Sequence, residues 1–459
     1  MKKLLFLSAI IVAFVFSSCS SGGYKSYVPA DSKLVAKIDL KGLLTQIGVD
    51  QEKFMNDLLK MAGKDAKDLQ NLGIDPTAPI YIFGKNKGND LVFGAVAKVT
   101  NREMAEQTFT KESNIQLQKG DGYSFLDAGE SSFAINDDAL VITFNSSSDK
   151  NATKSNLMSI MKQETEGEAN PNNLFAQADG NNSFASLYLD MSIIPDQLFN
   201  QAKAQGALTD EDIKAYRSMV MGLNGSASDG VCDFLYSVSA SDPKAQETIA
   251  KAKKAYGFIS DKVMNSFTAD DMFGLAMNVN GKQLMNLIKE SLSKMSSNPQ
   301  MGQVAGIINQ VSAILSKIEG NIVCSFNSPE DFTVKAEGKN ITNDIVNFMN
   351  TNQMSGMMQL KNTGNGYSIN AQMPLYFGYE GNNFYVTSNQ GKAAQPSQLM
   401  GTPAPEALTK LMKDRKMVIF ANTSQLPMYA AMFAGEDPGQ QSLIKTITDK
   451  IKYVTFSYK

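Results

Sequence analysis

Apolar residues in this chain follow two rhythms that take turns: period two over five to nine residues, then a spacing of three and four. Leu34, Ala36, Ile38 and Leu40 share one strand face, and Leu43, Leu44 and Ile47 follow at helical spacing. The same reading predicts strands at Pro79–Phe83, Leu91–Val99, Ser183–Leu189 and Cys232–Ala240. It predicts helices at Gln51–Met61, Arg102–Thr110 and Lys154–Gln163, the last with Leu157, Ile160 and Met161 inward. Glu164–Asn182, rich in Gly, Asn and Glu, reads as a long connection. Later in the chain come helices Lys282–Ser293, Gln303–Ile318 (stopped by Gly320) and Thr342–Met349, with strands Ile322–Phe326 and Phe332–Glu337.

The pattern occurs twice. Gly120, Gly122, Tyr123 and Ser124 return as Gly364, Gly366, Tyr367 and Ser368, and Phe133, Thr143 and Asn145 return as Phe377, Thr387 and Asn389. Both stretches read as a strand and a hairpin, turning at Asp137-Asp138 in one and at Gly381-Asn382 in the other. Pro29–Leu40 is echoed by Thr268–Asn280, and Ser183–Asp190 by Met417–Asn422. Cys232–Ala240 is matched with Ile451–Tyr458 at the end of the chain. Offsets that differ by a few residues fit one duplication with loop changes, and two copies are too few for a solenoid. The expected fold is α+β: two related halves, 28–262 and 263–459, each an antiparallel or mixed sheet packed with helices, the second lacking the last helix.

The N-terminus departs from this pattern. Lys2 and Lys3 precede the apolar run Leu4–Phe16, and small residues lead to Cys19, which is the layout of a secretory signal over 1–18. The run is shorter than the roughly 20 residues a spanning helix needs. Phe16-Ser17-Ser18-Cys19 resembles a bacterial lipoprotein lipobox, which implies cleavage before Cys19 and acylation there. Acyl chains, at about 0.8 kcal/mol per buried methylene, would then anchor the chain to a membrane. Residues 19–27 read as a polar tether.

Composition narrows the chemistry. With 43 basic and 46 acidic residues and no basic stripe, the chain is not a nucleic-acid binder. It contains no histidine, which excludes Ser-His and Cys-His nucleophile systems and His-ligated metals. Cys232 and Cys324 sit at different positions in the two copies and are read as buried free thiols, with a disulfide as the alternative. Asp39, Asp190, Asn278 and Asn422 each end a strand before a helical turn, and they read as N-caps before they read as ligands. Asp137-Asp138 and the Glu164, Glu166, Glu168 group read as turn and solvated loop. Ser159 and Lys162, and again Ser291 and Lys294, have Ser-x-x-Lys spacing without a following Lys-Thr-Gly, a remote route to a His-free hydrolase. Met354, Met357 and Met358 read as packing before copper ligation. Lys251, Lys253 and Lys254 read as solvated surface. No catalytic, cofactor or metal residue is assigned, and Cys19 is the one modification site.

The signal, the tether, the Pro29–Leu40 opening and the duplication together resemble an uncharacterised lipoprotein family of Bacteroidetes, domain of unknown function 4836. That resemblance implies a lipid anchor in the cell envelope and contributes no catalytic residue. Ser20-Ser21-Gly22-Gly23 lacks the acidic run associated with surface export, which favours the periplasmic face of the outer membrane, the cell surface being the alternative. The expected function is a non-catalytic module that binds an envelope protein or a small ligand. A carrier of lipid or another apolar ligand, in a cavity or in the groove between repeats, is the alternative, motivated by 25 Met and 25 Phe.

Overall fold

The computed structural model describes residues 23–54, 72–87, 90–113, 115–127, 131–145, 150–162, 173–294, 312–328, 330–351, 360–364, 366–370, 373–396, 402–425 and 438–459. Cys19, Met354, Met357, Met358, the Glu164 group and most of Gln51–Met61 lie outside the described residues. The chain divides into two compact units, and both are α+β.

The first unit comprises residues 1–196, 217–228 and 426–451. Its strands are β1 (Leu34–Ile38), β2 (Ile80–Lys87), β3 (Asp90–Lys98), β4 (Gln118–Lys119), β5 (Ser124–Asp127), β6 (Ser131–Ile135), β7 (Ala139–Asn145), β8 (Ala185–Asp190) and β9 (Met219–Ser228). They pair antiparallel in the order β9-β8-β1-β2-β3-β7-β6-β5-β4. Helices α1 (Leu40–Gln46), α2 (Arg102–Ser113), α3 (Lys150–Met161) and α4 (Asn173–Asp179) connect or cover them.

Cross-strand register places Lys37, Tyr81, Val96, Val141 and Ala134 in one row of the inner face. The neighbouring row is Val35, Phe83, Gly94, Thr143 and Ser132. Tyr81, Phe83, Val96 and Val141 form one core with Leu157, Ile160 and Met161 of α3 and Leu174, Phe175 and Ala178 of α4. Gly94 is where the Phe83 ring crosses the sheet, since a Cβ there would stand 2.2 Å from that ring. Helix α4 lies inside Glu164–Asn182, which the sequence presents as connection. Its polar residues hide three apolar ones that have a core to join, and Asp179 at its end ties it down. Tyr81 Oη donates to Asp179, and Lys25 pairs with that carboxylate at 2.9 Å.

The second unit comprises residues 197–216, 229–425 and 452–459. Its strands are β10 (Val231–Ala240), β11 (Tyr256–Gly257), β12 (Phe273–Asn280), β13 (Ile318–Ser328), β14 (Asp331–Gly338), β15 (Leu360–Asn362), β16 (Gly366–Ile369), β17 (Leu375–Glu380), β18 (Asn383–Thr387), β19 (Met417–Asn422) and β20 (Tyr453–Tyr458). The order is β20-β19-β12-β13-β14-β18-β17-β16-β15, the same strand for strand as the first sheet. β10 joins β20 in parallel, so this sheet is mixed. Among the helices are α5 (Asp196–Ala204), α6 (Asp210–Arg217), α7 (Pro243–Ala255), α8 (Gly281–Lys294), α9 (Ile341–Thr351), α10 (Gln390–Ala394) and α11 (Glu406–Lys413); α12 (Pro438–Lys450) falls in the first unit.

Two expectations change. The place of β20 beside β19 is filled in the first sheet by β9, not by Cys232–Ala240, and Cys232–Ala240 is β10 of the second unit. Of the expected helix Gln303–Ile318, residues 303–311 lie outside the described residues, and the helix ends at Leu315 rather than at Ile318. Ile318 already begins β13, and Gly320, at φ 129°, sits in an irregularity of that strand. Helical spacing in a long apolar run cannot show where pairing with a neighbour takes over.

Candidate functional site

The inner face of the second sheet differs from that of the first at matching places. Its rows are Val418, Ala276, Val323, Lys335, Tyr385 and, beside it, Phe420, Gly274, Ser325, Thr333, Thr387. Strand for strand, Lys335 stands where the first unit has Val96, Tyr385 where it has Val141, and Ser325 where it has Phe83. The apolar core is gathered toward β19, where Phe420, Val418 and Ala276 meet Leu408 and Met412 of α11. Toward β14 and β18 the helix that follows β18 is short: α10 has five residues and buries none, whereas α3 has twelve. A shallow polar hollow lies there, enclosing about 30 Å³, little more than a bound water needs.

Its floor is the sheet: Ser325, Thr333, Lys335, Tyr385 and Thr387. Thr387 Oγ1 donates to the Phe332 carbonyl at 2.8 Å, lies 2.9 Å from Thr333 Oγ1 and accepts from Asn389 N at 3.1 Å, so its hydrogen-bonding capacity is filled. The rim has two parts. The loop before β12 brings Ser266, Thr268 and Asp271, and α10 with the following turn brings Lys392 and Pro396. The loop is pinned through the Ala269 carbonyl, which accepts from Asn422 Nδ2 at 2.8 Å and from Tyr453 Oη at 3.3 Å. Asp271 folds back to accept from the Thr268 N–H at 2.6 Å. On the other side Asn389 caps α10, accepting from Gly391 N at 2.9 Å and Lys392 N at 3.2 Å. Lys392 then pairs with Asp331 at 2.7 Å.

Electrostatics sort these groups. Burial is the largest influence on Lys335 and lowers its pKa; Glu380 offsets part of that, and Lys392 adds repulsion. Burial pushes the Asp271 carboxyl up, against the Thr268 N–H, the charge of Lys392 and hydrogen bonds from the side chains of Thr268 and Asn327. Burial would also raise Asp331, but hydrogen bonds from Lys392, Asn327 and Asn389 outweigh it and hold that carboxyl down. The Asp331 and Lys392 charges therefore cancel. Among the described residues Lys335 makes no ion pair. The arrangement can bind a polar molecule; among the described residues no group of three or more His, Cys, Asp or Glu could hold a metal ion.

The residues singled out by sequence are placed as follows. Asp39 caps α1 by accepting from Gly42 N at 2.7 Å. Asp190 and Asn422 accept from Ser192 N at 2.8 Å and Ser424 N at 3.0 Å. Asn278 is no cap: its side-chain amide donates to the Phe258 carbonyl at 2.7 Å, and Asn280 accepts from Gln283 N instead. Asp137-Asp138 is a turn, closed by Asn136 Oδ1 accepting from Asp138 N and Ala139 N at 3.0 and 2.7 Å. Ser159 and Lys162 are exposed at the end of α3, in the first unit, and neither lines the hollow. Lys251 pairs with Glu247 on the α7 surface at 3.1 Å. Cys232 and Cys324 are free thiols. The pocket was missed by sequence reading. A signal existed, because aligning the copies sets Lys335 against Val96, a charge against an apolar residue in the middle of a strand.

The fold and the pocket thus define an α+β protein of two units with like strand orders, one unit closed over an apolar core and the other open at a polar hollow. The chain belongs to the family described as Domain of unknown function (DUF4836), which matches residues 24–456. No curated protein matches it. Two solved structures, crystal forms I and III of TP0453, show a distant likeness at 10% and 11% identity. Each covers 52% of this chain and 89% or 90% of its own, with a TM-score of 0.25, too low to carry an argument.

Proposed function

We propose that this protein is a non-catalytic binding module of the bacterial cell envelope, anchored through acylated Cys19 and taking a small polar ligand in the second unit. The observation that carries the reading is Lys335. A lysine in mid-sheet without an ion pair costs stability, because desolvation of an ammonium is repaid only by a partner. The first unit places Val96 at the same point, and the lysine of its own row, Lys37, is satisfied by the Asn181 carbonyl at 2.9 Å, so packing alone gives no reason for Lys335. The like strand orders support an internal duplication in which one copy kept a closed core and the other acquired a site. The signal-like N-terminus supports an envelope location, although Gly23–Tyr27, expected as the end of a tether, is a 3-10 turn with Tyr24 and Tyr27 buried in the first core; the resemblance stated above supports a Bacteroidetes source, with the periplasmic face of the outer membrane favoured. A non-enzymatic role is supported by the lack of histidine and by the exposed position of Ser159 and Lys162.

The test is to express the full chain in a Bacteroidetes host with an alkyne fatty acid, fractionate the membranes, and identify small molecules released from the purified protein. Label on wild type but not on Cys19→Ala, with a polar molecule released, is the expected result. A protein that is unlabelled and secreted free into the medium refutes the anchor.

A second reading, the apolar carrier, is favoured by the outer face of the second sheet. Phe273, Ile419 and Phe456 are 47%, 45% and 38% exposed on three adjoining strands. Single exposed apolar residues are ordinary, but a contiguous patch is not. Chloroform–methanol extraction of the purified protein decides it, since a stoichiometric acyl lipid in the extract favours the carrier and a lipid-free extract removes it.

A further inference from the structure

We propose that the outer face of the second sheet seats a second copy of this chain, in a two-fold dimer packed sheet against sheet. The hollow lies on the inner face of the same sheet, so the dimer goes beyond the binding-module reading and leaves that site open.

Register aligns the outward positions of β10, β20, β19, β12 and β13 in rows. The central row is Phe234, Phe456, Ile419, Leu275 and Cys324. The row on one side runs from Tyr236 to Ile322, and the row on the other from Cys232 to Phe326. No charged residue stands in any of the three rows. Aromatic rings neighbour one another along the face: Phe456 and Tyr458 each lie 6.1 Å from Tyr236, and Phe273 lies 6.3 Å from Phe326, centroid to centroid. Farther along the sheet the chain covers its own outer face, where Ile345 and Val346 of α9 pack with Phe377 and Phe384. On β12, β19 and β20 the side chains of Phe273, Ile419 and Phe456 are left exposed.

Charge, area and shape together point to a second copy. A face without charge meets itself at no like-charge cost, and a partner of different chemistry finds no ionic group in these rows to recognise. Aromatic residues and methionine are enriched, and charged residues depleted, at the core of protein interfaces, most of all in homodimers. Strands about 4.8 Å apart, with outward positions about 6.8 Å apart along each, give five strands and three rows a face of roughly 500 Å². Two such faces bury about 1,000 Å², the level at which a specific interface begins. Two identical twisted sheets pack face to face at about −30°, and a two-fold axis closes the assembly at two copies. An acyl chain laid on an open sheet keeps its far side in water, whereas a second sheet removes both faces from it.

The experiment is sedimentation velocity of the mature chain, carrying Cys19→Ser so that no lipid anchor contributes, from about 0.5 to 50 µM, a range that spans a micromolar dissociation constant. The chain should sediment at twice the mass of one copy. Ile419→Asp and Phe456→Asp should each weaken the dimer about a hundredfold or more, because a two-fold axis brings in every carboxylate twice and buries it without a partner. Leu198→Asp, at an exposed leucine of α5 outside the sheet, should leave the dimer intact. Cys324 in the central row supplies a reading that needs no substitution in the face: its labelling by iodoacetamide, followed by mass spectrometry, should slow as the protein is concentrated. If both face variants fail to fold, the mass and the Cys324 labelling still decide. A chain that stays monomeric throughout the range overturns the proposal. So does a dimer that the folded face variants leave unchanged, or one that does not protect Cys324. A monomer that carries a stoichiometric acyl lipid, or floats with phosphatidylethanolamine vesicles, gives the face to lipid and removes the dimer. The polar site on the inner face stands or falls separately, by the molecules released from the purified protein.

Discussion

Asp233 on β10 is the residue whose removal should do most damage to the second unit. Its Oδ2 accepts from Arg415 Nη2 at 2.9 Å and Ser457 Oγ at 3.0 Å, and its Oδ1 from Thr455 Oγ1 at 2.6 Å. Arg415 Nε donates to Ser457 Oγ at 3.0 Å, which closes the network across β10, β20 and the approach to β19. The pair is buried, with side chains 14% and 6% exposed, so it is not one of the surface pairs worth under about 1 kcal/mol. Asp233→Ala strands the guanidinium and leaves two hydroxyls without their acceptor. Breaking a buried pair from one side costs about 3–5 kcal/mol. With urea slopes of about 1–3 kcal/mol per molar, the midpoint of this unit should fall by roughly 1–3 M. Urea titration followed by far-UV circular dichroism measures the shift, and hydrogen exchange at β10 and β20 amides locates it. Replacing both partners, as Asp233→Leu with Arg415→Met, should recover most of the loss, because an apolar pair of similar volume carries no desolvation penalty. A cost below about 1 kcal/mol for Asp233→Ala, or a double variant no better than the single, would refute the account.

Four further outcomes follow from particular contacts. Burial and then the charge of Asp233 push the Cys232 thiol up to about 11, so a thiol reagent at pH 8 should label it only after unfolding; fast native labelling contradicts this. Burial would raise Glu106, but hydrogen bonds from Lys119, Ser124 and Arg102 win and bring it down to about 2 from an ordinary 4.5. A depressed folded pKa means its stabilisation is complete above about pH 4.5 and drains away as pH falls toward 2. Glu106→Gln should therefore flatten the stability of the first unit across that window in acid titrations by circular dichroism. Gly94→Ala would push a Cβ to 2.2 Å from the Phe83 ring and 2.6 Å from the Ile142 carbonyl oxygen, and should cost about 1–3 kcal/mol in the same urea assay. Lys335→Met should leave thermal stability unchanged or higher, because an ammonium without an ion pair among the described residues is replaced by an apolar chain of similar length; a large drop in melting temperature would show that Lys335 is structural.

Strand β1 shows how far the apolar pattern could be read. Leu34, Ala36 and Ile38 form its regular apolar face, yet they are the half-exposed side, and the buried side carries Val35 and Lys37. Lys37 reaches its place by donating to the Asn181 carbonyl at 2.9 Å. Both faces of the strand bear apolar residues, so period two marks a strand without marking which side packs. The inward face of helix α3 was readable, because Leu157, Ile160 and Met161 share one face and meet a single core, although the helix runs Lys150–Met161 and not Lys154–Gln163. Helix α4 was not, since its three buried residues sit in a run of Asn, Gln and Gly that reads as loop.

The amino-acid sequence by itself determined the α+β class, the positions of most strands, the caps at Asp39, Asp190 and Asn422, and the turns at Asp137-Asp138 and Gly381-Asn382. These depend on residues within a few positions of each other, where periodicity and short side-chain hydrogen bonds decide the outcome. Tertiary structure alone decided that β10 lies parallel to β20, that Arg415 meets Asp233, and that the second sheet is open over β14 and β18. Those contacts join residues up to 224 positions apart. They depend on the length of α10 relative to α3 and on which strands become neighbours, which no local pattern records. Among the described residues, a five-residue helix stands beside the polar hollow where a twelve-residue one covers the first sheet.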